Sequence, residues 1–356
     1  MNTKVTKVGI VGCGALSQRV HIPNFVNLES CQVVALCDLR EDVAKKVVRK
    51  YGIRRVYRKV EDLLGDEEIE AVVFLLPQHV HPVYTIQSCQ AGKHVFMEKP
   101  LAVSSQVGLR IVQAAEKNKT KAMVGYMKRY DPGVVKAKSI LDQYIKSGEL
   151  GAITYARFHN FNGDWLCGAP TVVGQTGEVK PPDEEGASYV PDFLSGEEKR
   201  QYYAWLNVFC HDINLMRYLL GEPKKAKYIA KRASDNPWRT RLTSLFDYED
   251  FDAVIETGGI DAHYFDEEAK IYFDKGWIKL QIPAPLLVNV PSKLTVYTLK
   301  DGFQEPALEW KWGFREEARC FLNWIQTRTP CCQSTAKDSY KDLVLAESLW
   351  KLLDKE

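Results

Sequence analysis

The sequence has neither a long hydrophobic run nor an excess of charge of one sign. Its apolar runs, such as Ala71 to Pro77, are far shorter than the roughly 20 residues that a membrane-spanning helix needs. The 48 Lys and Arg residues nearly balance the 46 Asp and Glu residues, so no overall positive field attracts DNA or RNA. The N-terminus shows no apolar stretch followed by a small-residue cleavage site. These absences predict a cytoplasmic protein that binds neither nucleic acid nor a membrane.

Disulfide and metal chemistry also have little support. The nine cysteines are an odd number, so they cannot all pair within one chain. No Cys-x-x-Cys occurs, and the adjacent Cys331 and Cys332 lack the second pair of ligands that a zinc site needs. His79 and His81 are two residues apart and do not share a helix face. We therefore predict no metal site, and cysteines that are reduced and mostly buried.

The first third of the 356-residue chain alternates short apolar runs with segments of helical period. The apolar runs are Lys7 to Val11, Gln32 to Cys37, Ala71 to Leu76, His94 to Met97 and Ala122 to Val124. One helix is predicted from His81 to Gln90, before Gly92, and another begins after Ser104, a suitable N-cap residue. Such an alternation is typical of β-α-β units. It predicts a doubly wound parallel sheet over residues 1–125.

The pattern changes after Gly125. A largely helical segment, Tyr126 to Gly148, is followed by a series of β-rich stretches separated by short turns, and Phe314 to Glu356 is again helical. This predicts a second, α+β domain over residues 126–356, with an antiparallel or mixed sheet. Asn160 to Tyr203 is rich in Gly, Pro and acidic residues, and a loop of this length is usually functional or disordered. We interpret it as a candidate cover for a pocket.

A glycine-rich turn follows the first predicted strand. Gly12 permits a tight turn, and Gly14 allows a pyrophosphate to approach the main chain at the positive end of a helix that begins near Ala15 and Leu16. Ser17 stands at the third glycine position of the dinucleotide fingerprint, so the match is imperfect. A simple strand-to-helix turn is the alternative.

Asp38 strengthens the dinucleotide interpretation. It ends the second predicted strand, 24 residues after Gly14, where a carboxylate can accept hydrogen bonds from the adenosine ribose. A carboxylate there also repels a 2′-phosphate, which favours NAD over NADP. Arg40 partly offsets this repulsion, so NADP is the alternative cofactor. An Asp that caps the helix following Leu39 and Arg40 is the alternative role.

Further motifs occur in a fixed order along nearly the whole chain. They are VGCGALSQRVHIP near the N-terminus, FLLPQHVHPVYTIQSCQAGKHVFMEKPLA from Phe74, VGYMKRYDP from Val124, HDINLMRYLLGEP from His211, and EEARCFLNWIQ with DSYKDLVLAES near the C-terminus. Together they resemble the glucose-fructose oxidoreductase and inositol dehydrogenase (Gfo/Idh/MocA) family. The resemblance implies an N-terminal Rossmann domain and a C-terminal α+β domain whose open-faced sheet is largely antiparallel. The C-terminal helices could pack back on the first domain.

Lys99 is the residue to which the resemblance gives most weight. It stands in Glu98-Lys99-Pro100, at the carboxyl end of a predicted strand, where ligands bind in open α/β sheets. An ammonium group there can stabilise an oxygen that gains negative charge during hydride transfer. The resemblance implies that Lys99 contacts nicotinamide and substrate, and that its bond to Pro100 is cis. Without the motif, a solvated surface lysine would be the default.

The second catalytic candidate is His211. In the family an Asp lies four residues before this His on one helix face, and the His acts as general acid and base; here Asn207 stands in place of the Asp. Asn207 can still orient an imidazole or hold a hydroxyl, but it supplies no negative charge. Asp212 is next in sequence, yet a neighbouring helical residue projects about 100° away. A structural histidine is the alternative for His211.

The remaining candidates follow from the resemblance or from residue type. Those near the cofactor, besides Gly12, Gly14, Ala15, Leu16, Asp38, Leu39 and Arg40, are Leu76, Pro77, Gln78, His81, Glu98 and Lys99. The substrate candidates, besides Lys99, Asn207 and His211, are Tyr126, Arg129 and Trp165, since aromatic faces suit the apolar faces of sugars. Core aromatics are the more common role. His21 and Pro23 form the family's His-x-Pro, which we interpret as a structural helix start.

These features predict an NAD-dependent dehydrogenase or reductase of a sugar, cyclitol or sugar derivative. A catalytically inactive dinucleotide-binding regulator or scaffold is the alternative, because fold does not settle function. The open-faced sheet of the family usually pairs with another subunit, so a homodimer or homotetramer is expected.

Overall fold

The computed structural model describes residues 4–168, 172, 189–327 and 333–353. Contacts between Cα atoms divide the chain into two compact units. The first unit takes the described residues of Met1–Tyr126, Ala169–Val190 and Phe314–Leu343, and the second those of Met127–Gly168, Pro191–Gly313 and Val344–Glu356.

Six parallel strands form the sheet of the first unit. They are β1 (Thr6–Val11), β2 (Cys31–Cys37), β3 (Arg55–Tyr57), β4 (Ala71–Phe74), β5 (His94–Glu98) and β6 (Ala122–Gly125). Their spatial order is β3-β2-β1-β4-β5-β6, which reverses direction between β1 and β4. In doubly wound sheets, ligands bind at the carboxyl ends of the strands beside such a reversal. The predicted parallel sheet is confirmed; the prediction missed only the short β3.

The helices of this unit follow the strands. They are α1 (Ile22–Val26), α2 (Glu41–Tyr51), α3 (Val60–Leu64), α4 (His81–Gln90) and α5 (Ser105–Lys117). A π-helical segment, Ser17–His21, leads directly into α1, and Pro23 lies in the first turn of α1 as predicted. The Ser104 hydroxyl accepts a hydrogen bond from the Val107 N–H at 3.4 Å, so the predicted N-cap is confirmed. Helix α4 also has its predicted bounds.

The second unit contains helices α6 (Pro132–Ser147) and α7 (Gly196–Leu220) and an eight-stranded sheet. The strands are β7 (Ile153–Asn162), β8 (Lys225–Arg232), β9 (Arg241–Asp247), β10 (Asp252–Gly259), β11 (Asp266–Phe273), β12 (Gly276–Gln281), β13 (Lys293–Thr298) and β14 (Gly302–Gln304). In the order β14-β13-β12-β11-β7-β10-β9-β8, every neighbouring pair is antiparallel except β7 and β10. The largely antiparallel second sheet is thus confirmed.

Helices α6 and α7 pack on one face of this sheet. The strands alternate accordingly: in β11, Glu267, Ala269, Ile271 and Phe273 are buried, and the residues between them are half-buried. The second face carries aromatic and charged side chains. On it, Lys270 Nζ lies 4.2 Å from the centre of the Trp277 ring.

The segment from Asn160 to Tyr203 is not one loop. β7 runs to Asn162, and α7 begins at Gly196, so part of the segment is regular structure. The interpretation of the segment as one loop was therefore wrong at both ends. At its C-terminal end, Glu197 and Glu198 gave the segment a loop-like, acidic composition, but they lie in the first turn of α7, where a negative charge is favourable. Residues 169–171 and 173–188 of the segment lie outside the described residues.

Two further helices, α8 (Gly313–Gln326) and α9 (Ala336–Trp350), follow the second sheet in sequence. Residues between Phe314 and Leu343 complete the core of the first unit. The Phe321 ring lies 5.7 Å from that of Phe96, and the Ser334 hydroxyl donates to the Val124 carbonyl at 2.7 Å. A Cβ at Gly108 would lie only 2.7 Å from Leu343 Cδ1. The sheet of the first unit is therefore covered by residues from both ends of the sequence.

Over the described ranges, no helix is both long and apolar enough to span a membrane. The same residues contain no group of three or more His, Cys, Asp or Glu side chains that could hold a metal ion. Seven cysteines fall within them, and all seven are free thiols. Cys331 and Cys332 lie outside the described residues.

Candidate functional site

The glycine-rich turn lies at the carboxyl end of β1. Gly12 has φ +97°, and a Cβ there would lie 2.4 Å from the Leu75 carbonyl oxygen, so only glycine fits. A Cβ at Gly14 would meet no atom within 4 Å, which leaves open space in front of the turn. Ala15 and Leu16 begin the helix that continues through the buried Ser17. A glycine turn with open space at a helix N-terminus fits a dinucleotide pyrophosphate.

Asp38 connects this turn to the end of β2. Its buried carboxylate accepts hydrogen bonds from the Cys13 N–H at 2.7 Å and from the Arg40 N–H at 2.8 Å. The Arg40 side chain adds an Nε contact at 3.1 Å, and Leu39 between them is exposed. Arg40 is itself the N-cap residue of α2, and no side chain caps that helix. Asp38 is therefore not the helix cap that was its alternative role, and it holds the turn in place.

The Glu98-Lys99-Pro100 segment leaves the carboxyl end of β5. Lys99 is half-buried, and the Lys99–Pro100 peptide bond is cis, as the resemblance implies. The buried Glu98 carboxylate accepts from the Lys99 N–H at 3.1 Å through Oε2, and its Oε1 lies 2.7 Å from His21 Nε2. Although burial alone raises the pKa of Glu98, the His21 hydrogen bond brings it below its ordinary value. Glu98 is thus an ionised group inside the fold.

The other predicted cofactor residues lie after β4 and at the start of α4. Leu76 and Pro77 are half-buried, and Gln78 is buried. His81 has no exposed surface, and its Nε2 lies 3.2 Å from the Leu101 carbonyl oxygen. Burial lowers the pKa of His81 to about 4, so its imidazole is neutral and donates that hydrogen bond. The structure therefore gives His81 a role in holding the chain just after Pro100.

In the second unit, Asn207 and His211 both lie on α7. They are four residues apart and half-buried, so they share one helix face. The next residue, Asp212, is buried, and its carboxylate accepts a hydrogen bond from Asn160 Nδ2 at 3.1 Å. Asp212 therefore points into the unit's interior and away from the face of Asn207 and His211, as helix geometry predicts.

Asp212 belongs to a cluster of buried charges that the sequence analysis missed. Lys128 forms an ion pair with Glu267 of β11, and both side chains are almost fully buried. Burial raises the pKa of Glu267 to about 7. The positive charge of Lys128 lowers this pKa, and the negative charge of Asp212 raises it. The pKa of Asp212 is also raised by burial, against the effect of Lys128. We call Lys128, Asp212 and Glu267 the charged cluster.

The three weaker substrate candidates have different surroundings. Arg129 is buried, and its Nε donates to Asn214 Oδ1 at 2.7 Å, which ties the turn after β6 to α7. Tyr126 is also buried, whereas Trp165 is 41% exposed in the turn after β7. Of these three candidates, only Trp165 has a substantial exposed surface.

Comparisons with known proteins agree with this geometry. Residues 6–126 match the profile of the family described as "Oxidoreductase family, NAD-binding Rossmann fold" (GFO_IDH_MocA). Inositol 2-dehydrogenase of Salmonella typhimurium is 27% identical over 97% of this chain and 93% of its own length. The uncharacterised oxidoreductase YrbE of Bacillus subtilis is 24% identical over 92% of this chain and 89% of its own length.

Solved structures share the fold over the whole chain. KijD10, a 3-ketoreductase of Actinomadura kijaniata solved with NADP and TDP-benzene, has a TM-score of 0.75 at 18% identity and covers 98% of this chain and 97% of its own. A putative myo-inositol dehydrogenase of Sinorhizobium meliloti has a TM-score of 0.73 at 18% identity, covering 99% and 98%. The turn at Gly12, the Glu98-Lys99-Pro100 segment and these matches agree: residues 6–126 carry the NAD-binding Rossmann fold of the GFO_IDH_MocA oxidoreductase family, and nearly the whole chain is similar to inositol 2-dehydrogenase.

Proposed function

We propose that this protein oxidises or reduces a secondary alcohol or ketone of a cyclitol, a sugar or a sugar derivative. A derivative could carry an amino group or a nucleotide. The observation that carries the proposal is Lys99 at the carboxyl end of β5, in the same sheet as the turn at Gly12. Relatives named as an inositol 2-dehydrogenase and a 3-ketoreductase support this substrate class.

We assign each candidate site residue one role in this reaction. When bound, the nicotinamide cofactor supplies or accepts the hydride. Gly12 and Gly14 admit the pyrophosphate, and Asp38 holds the ribose. Lys99 stabilises the substrate oxygen, and His211 accepts or donates its proton while Asn207 orients the imidazole or a hydroxyl. On this proposal, residues 1–125 form the dinucleotide domain and residues 126–356 form the substrate-binding and oligomerisation domain, except that Phe314–Leu343 pack back into the first unit.

The direct test is binding followed by turnover. Calorimetry should show that the purified protein binds NADH or NADPH, and absorbance of the reduced cofactor should then reveal turnover with one member of a panel of cyclitols and sugars. A protein that binds neither cofactor contradicts the proposal. Binding without turnover on any panel member favours the inactive regulator, which Ser17 and Asn207 also favour mildly because they depart from the family pattern.

Cofactor preference should depend on the charge of Asp38. In Asp38→Asn, the neutral side chain can still accept from the Cys13 N–H, but it no longer repels a 2′-phosphate or fully neutralises Arg40. We expect the ratio of NADP to NAD affinity to rise about tenfold or more, since a hydrogen bond to a charged group contributes roughly 1.5–3 kcal/mol. Calorimetry with both cofactors measures the ratio. Asp42→Asn, an exposed carboxylate in the first turn of α2, should leave it unchanged.

The second face of the eight-stranded sheet is suited to a second copy of the chain. Trp277 stacks on Tyr297 at 5.8 Å and on Lys270, and Phe303 beside them is 73% exposed. An apolar surface of this kind is usually covered in an assembly. We therefore expect a homodimer or homotetramer. A mass near 40.6 kDa in light scattering, the mass of one chain, would contradict this expectation.

A further inference from the structure

Glu98 is a buried ionised carboxylate immediately before Lys99. Burying such a charge is costly unless hydrogen bonds or an opposite charge satisfy it. Both oxygens are engaged inside the first unit: Oε2 accepts from the Lys99 N–H at 3.1 Å, and Oε1 accepts from His21 Nε2 at 2.7 Å. The resemblance places Glu98 among the cofactor contacts, but in this structure its hydrogen bonds go to the fold itself.

His21 reaches Glu98 from the helix that follows the glycine turn. It ends the π-helical segment Ser17–His21 and has no exposed surface. Its ring lies 5.6 Å from the rings of Phe96 and Phe314, which fix its orientation. No atom of the described residues hydrogen-bonds to its Nδ1, so the ring proton belongs on Nε2, where the carboxylate accepts it. The His21–Glu98 bond therefore links the helix of the glycine turn to the end of β5.

A second imidazole holds the other side of the same segment. His81, also without exposed surface, donates from Nε2 to the Leu101 carbonyl oxygen at 3.2 Å. The residues on both sides of Lys99–Pro100 are thus bound to buried groups on two different helices. This leaves the Lys99 backbone little freedom, which limits the region that its ammonium group can reach.

We propose that Glu98 and His21 are positioning residues for Lys99: they fix its backbone so that the ammonium lies where the substrate oxygen gains charge. The inference rests on the proposed function. Positioning matters because a misplacement of about 1 Å can cost ~100-fold in rate. The hydrogen bond between His21 and Glu98 also gives a physical reason why the motifs His-x-Pro and Glu-Lys-Pro occur together in this chain: the first supplies the imidazole and the second supplies the carboxylate.

The test compares Glu98→Gln, His21→Gln and Lys99→Ala, alone and combined. Glu98→Gln keeps the shape of the side chain but replaces one carboxylate oxygen with an NH₂ group. This donor then faces another donor, either the Lys99 N–H or the His21 Nε2–H, so one of the two hydrogen bonds is lost. We expect kcat to fall about 10–100-fold in Glu98→Gln and His21→Gln, within the range that positioning supplies, while the dissociation constant for NADH stays within about threefold. In the Lys99→Ala background neither substitution should lower kcat further, because the group that they position is gone. Glu61→Gln, an exposed carboxylate in α3, is the matched control and should change nothing.

A structural readout separates this inference from the proposed function. Proton NMR of the protein without cofactor should show a downfield imidazole N–H resonance that disappears in His21→Gln and shifts in Glu98→Gln. Circular dichroism confirms that each variant is folded; if Glu98→Gln is not, His21→Gln provides the same comparison. Absence of the resonance from the wild-type protein overturns the inference, and so does an equal loss of kcat in the presence and absence of Lys99. A wild-type protein without turnover on the panel contradicts the proposed function instead.

Discussion

Lys99→Ala is expected to lower kcat by about 10²–10⁴-fold, the range that a positioned charged or proton-transferring group supplies. On the proposed function, the loss arises because the Lys99 ammonium stabilises the substrate oxygen as that oxygen gains negative charge. Binding of NADH should change little, since Gly12, Gly14 and Asp38 hold the remainder of the dinucleotide on the proposed function. Steady-state kinetics at saturating cofactor and calorimetry measure the two quantities separately.

Lys45→Ala is the matched control for this substitution. Lys45 is an exposed lysine of the same unit, four residues from its partner Glu41 in α2. Its removal should leave kcat and NADH binding unchanged. An unchanged rate in Lys99→Ala would discard the proposed mechanism. NADH binding without measurable turnover, in the wild-type protein as well as in Lys99→Ala, would favour the regulator.

Lys128→Met is expected to destabilise the protein by about 3–5 kcal/mol, the usual cost of leaving a buried charge without its partner. The substitution keeps the unbranched, apolar part of the side chain but leaves Asp212 and Glu267 buried without the nearby Lys128 ammonium group. Urea unfolding followed by circular dichroism measures the free energy of unfolding. Lys227→Met removes an exposed partner of Asp252 and should leave the unfolding midpoint unchanged. An equal midpoint for Lys128→Met and wild type would show that the charged cluster does not stabilise the fold.

The charged cluster should also make stability depend on pH. Glu267 has a pKa of about 7 in the folded protein against an ordinary value of 4.5, so the folded state binds its proton more tightly than the unfolded chain does. Stability from this group is therefore fully present below about pH 4.5 and is lost as the pH rises toward 7. The raised pKa values of Asp212 and Asp131 act in the same direction. Glu267→Gln should flatten the decline between pH 4.5 and 7, and an unaltered slope would assign the decline to other groups.

Strands and helices whose formation depends on neighbouring residues in the sequence were predictable. The buried strands of the first sheet are continuous Val- and Ile-rich runs, and α4 and α5 have clear end signals in Gly92 and Ser104. Elements of three residues, such as β3 and β14, were missed because so short a run has no measurable period. The start of α7 was missed because it follows a segment rich in Gly, Pro and acidic residues.

Long-range partners were not predictable without the fold. Lys128 and Glu267 are 139 residues apart, and no local sequence pattern around either residue indicates that the two form an ion pair. The same holds for His21 and Glu98, which are 77 residues apart in two motifs that the sequence analysis treated separately. The resemblance located Lys99 and His211, but it could not say that Asp212, next to His211, belongs to the interior of the second unit.

The contribution of Phe314–Leu343 to the first unit affects how the chain folds during synthesis. Phe321 leaves the ribosome about 300 residues after β1, a delay of roughly 15–60 s at 5–20 residues per second. All eight strands of the other sheet emerge in that interval. The part of the first unit that precedes Tyr126 therefore emerges with some of its apolar surface still uncovered, and we expect a fragment that ends near Tyr126 to be poorly soluble.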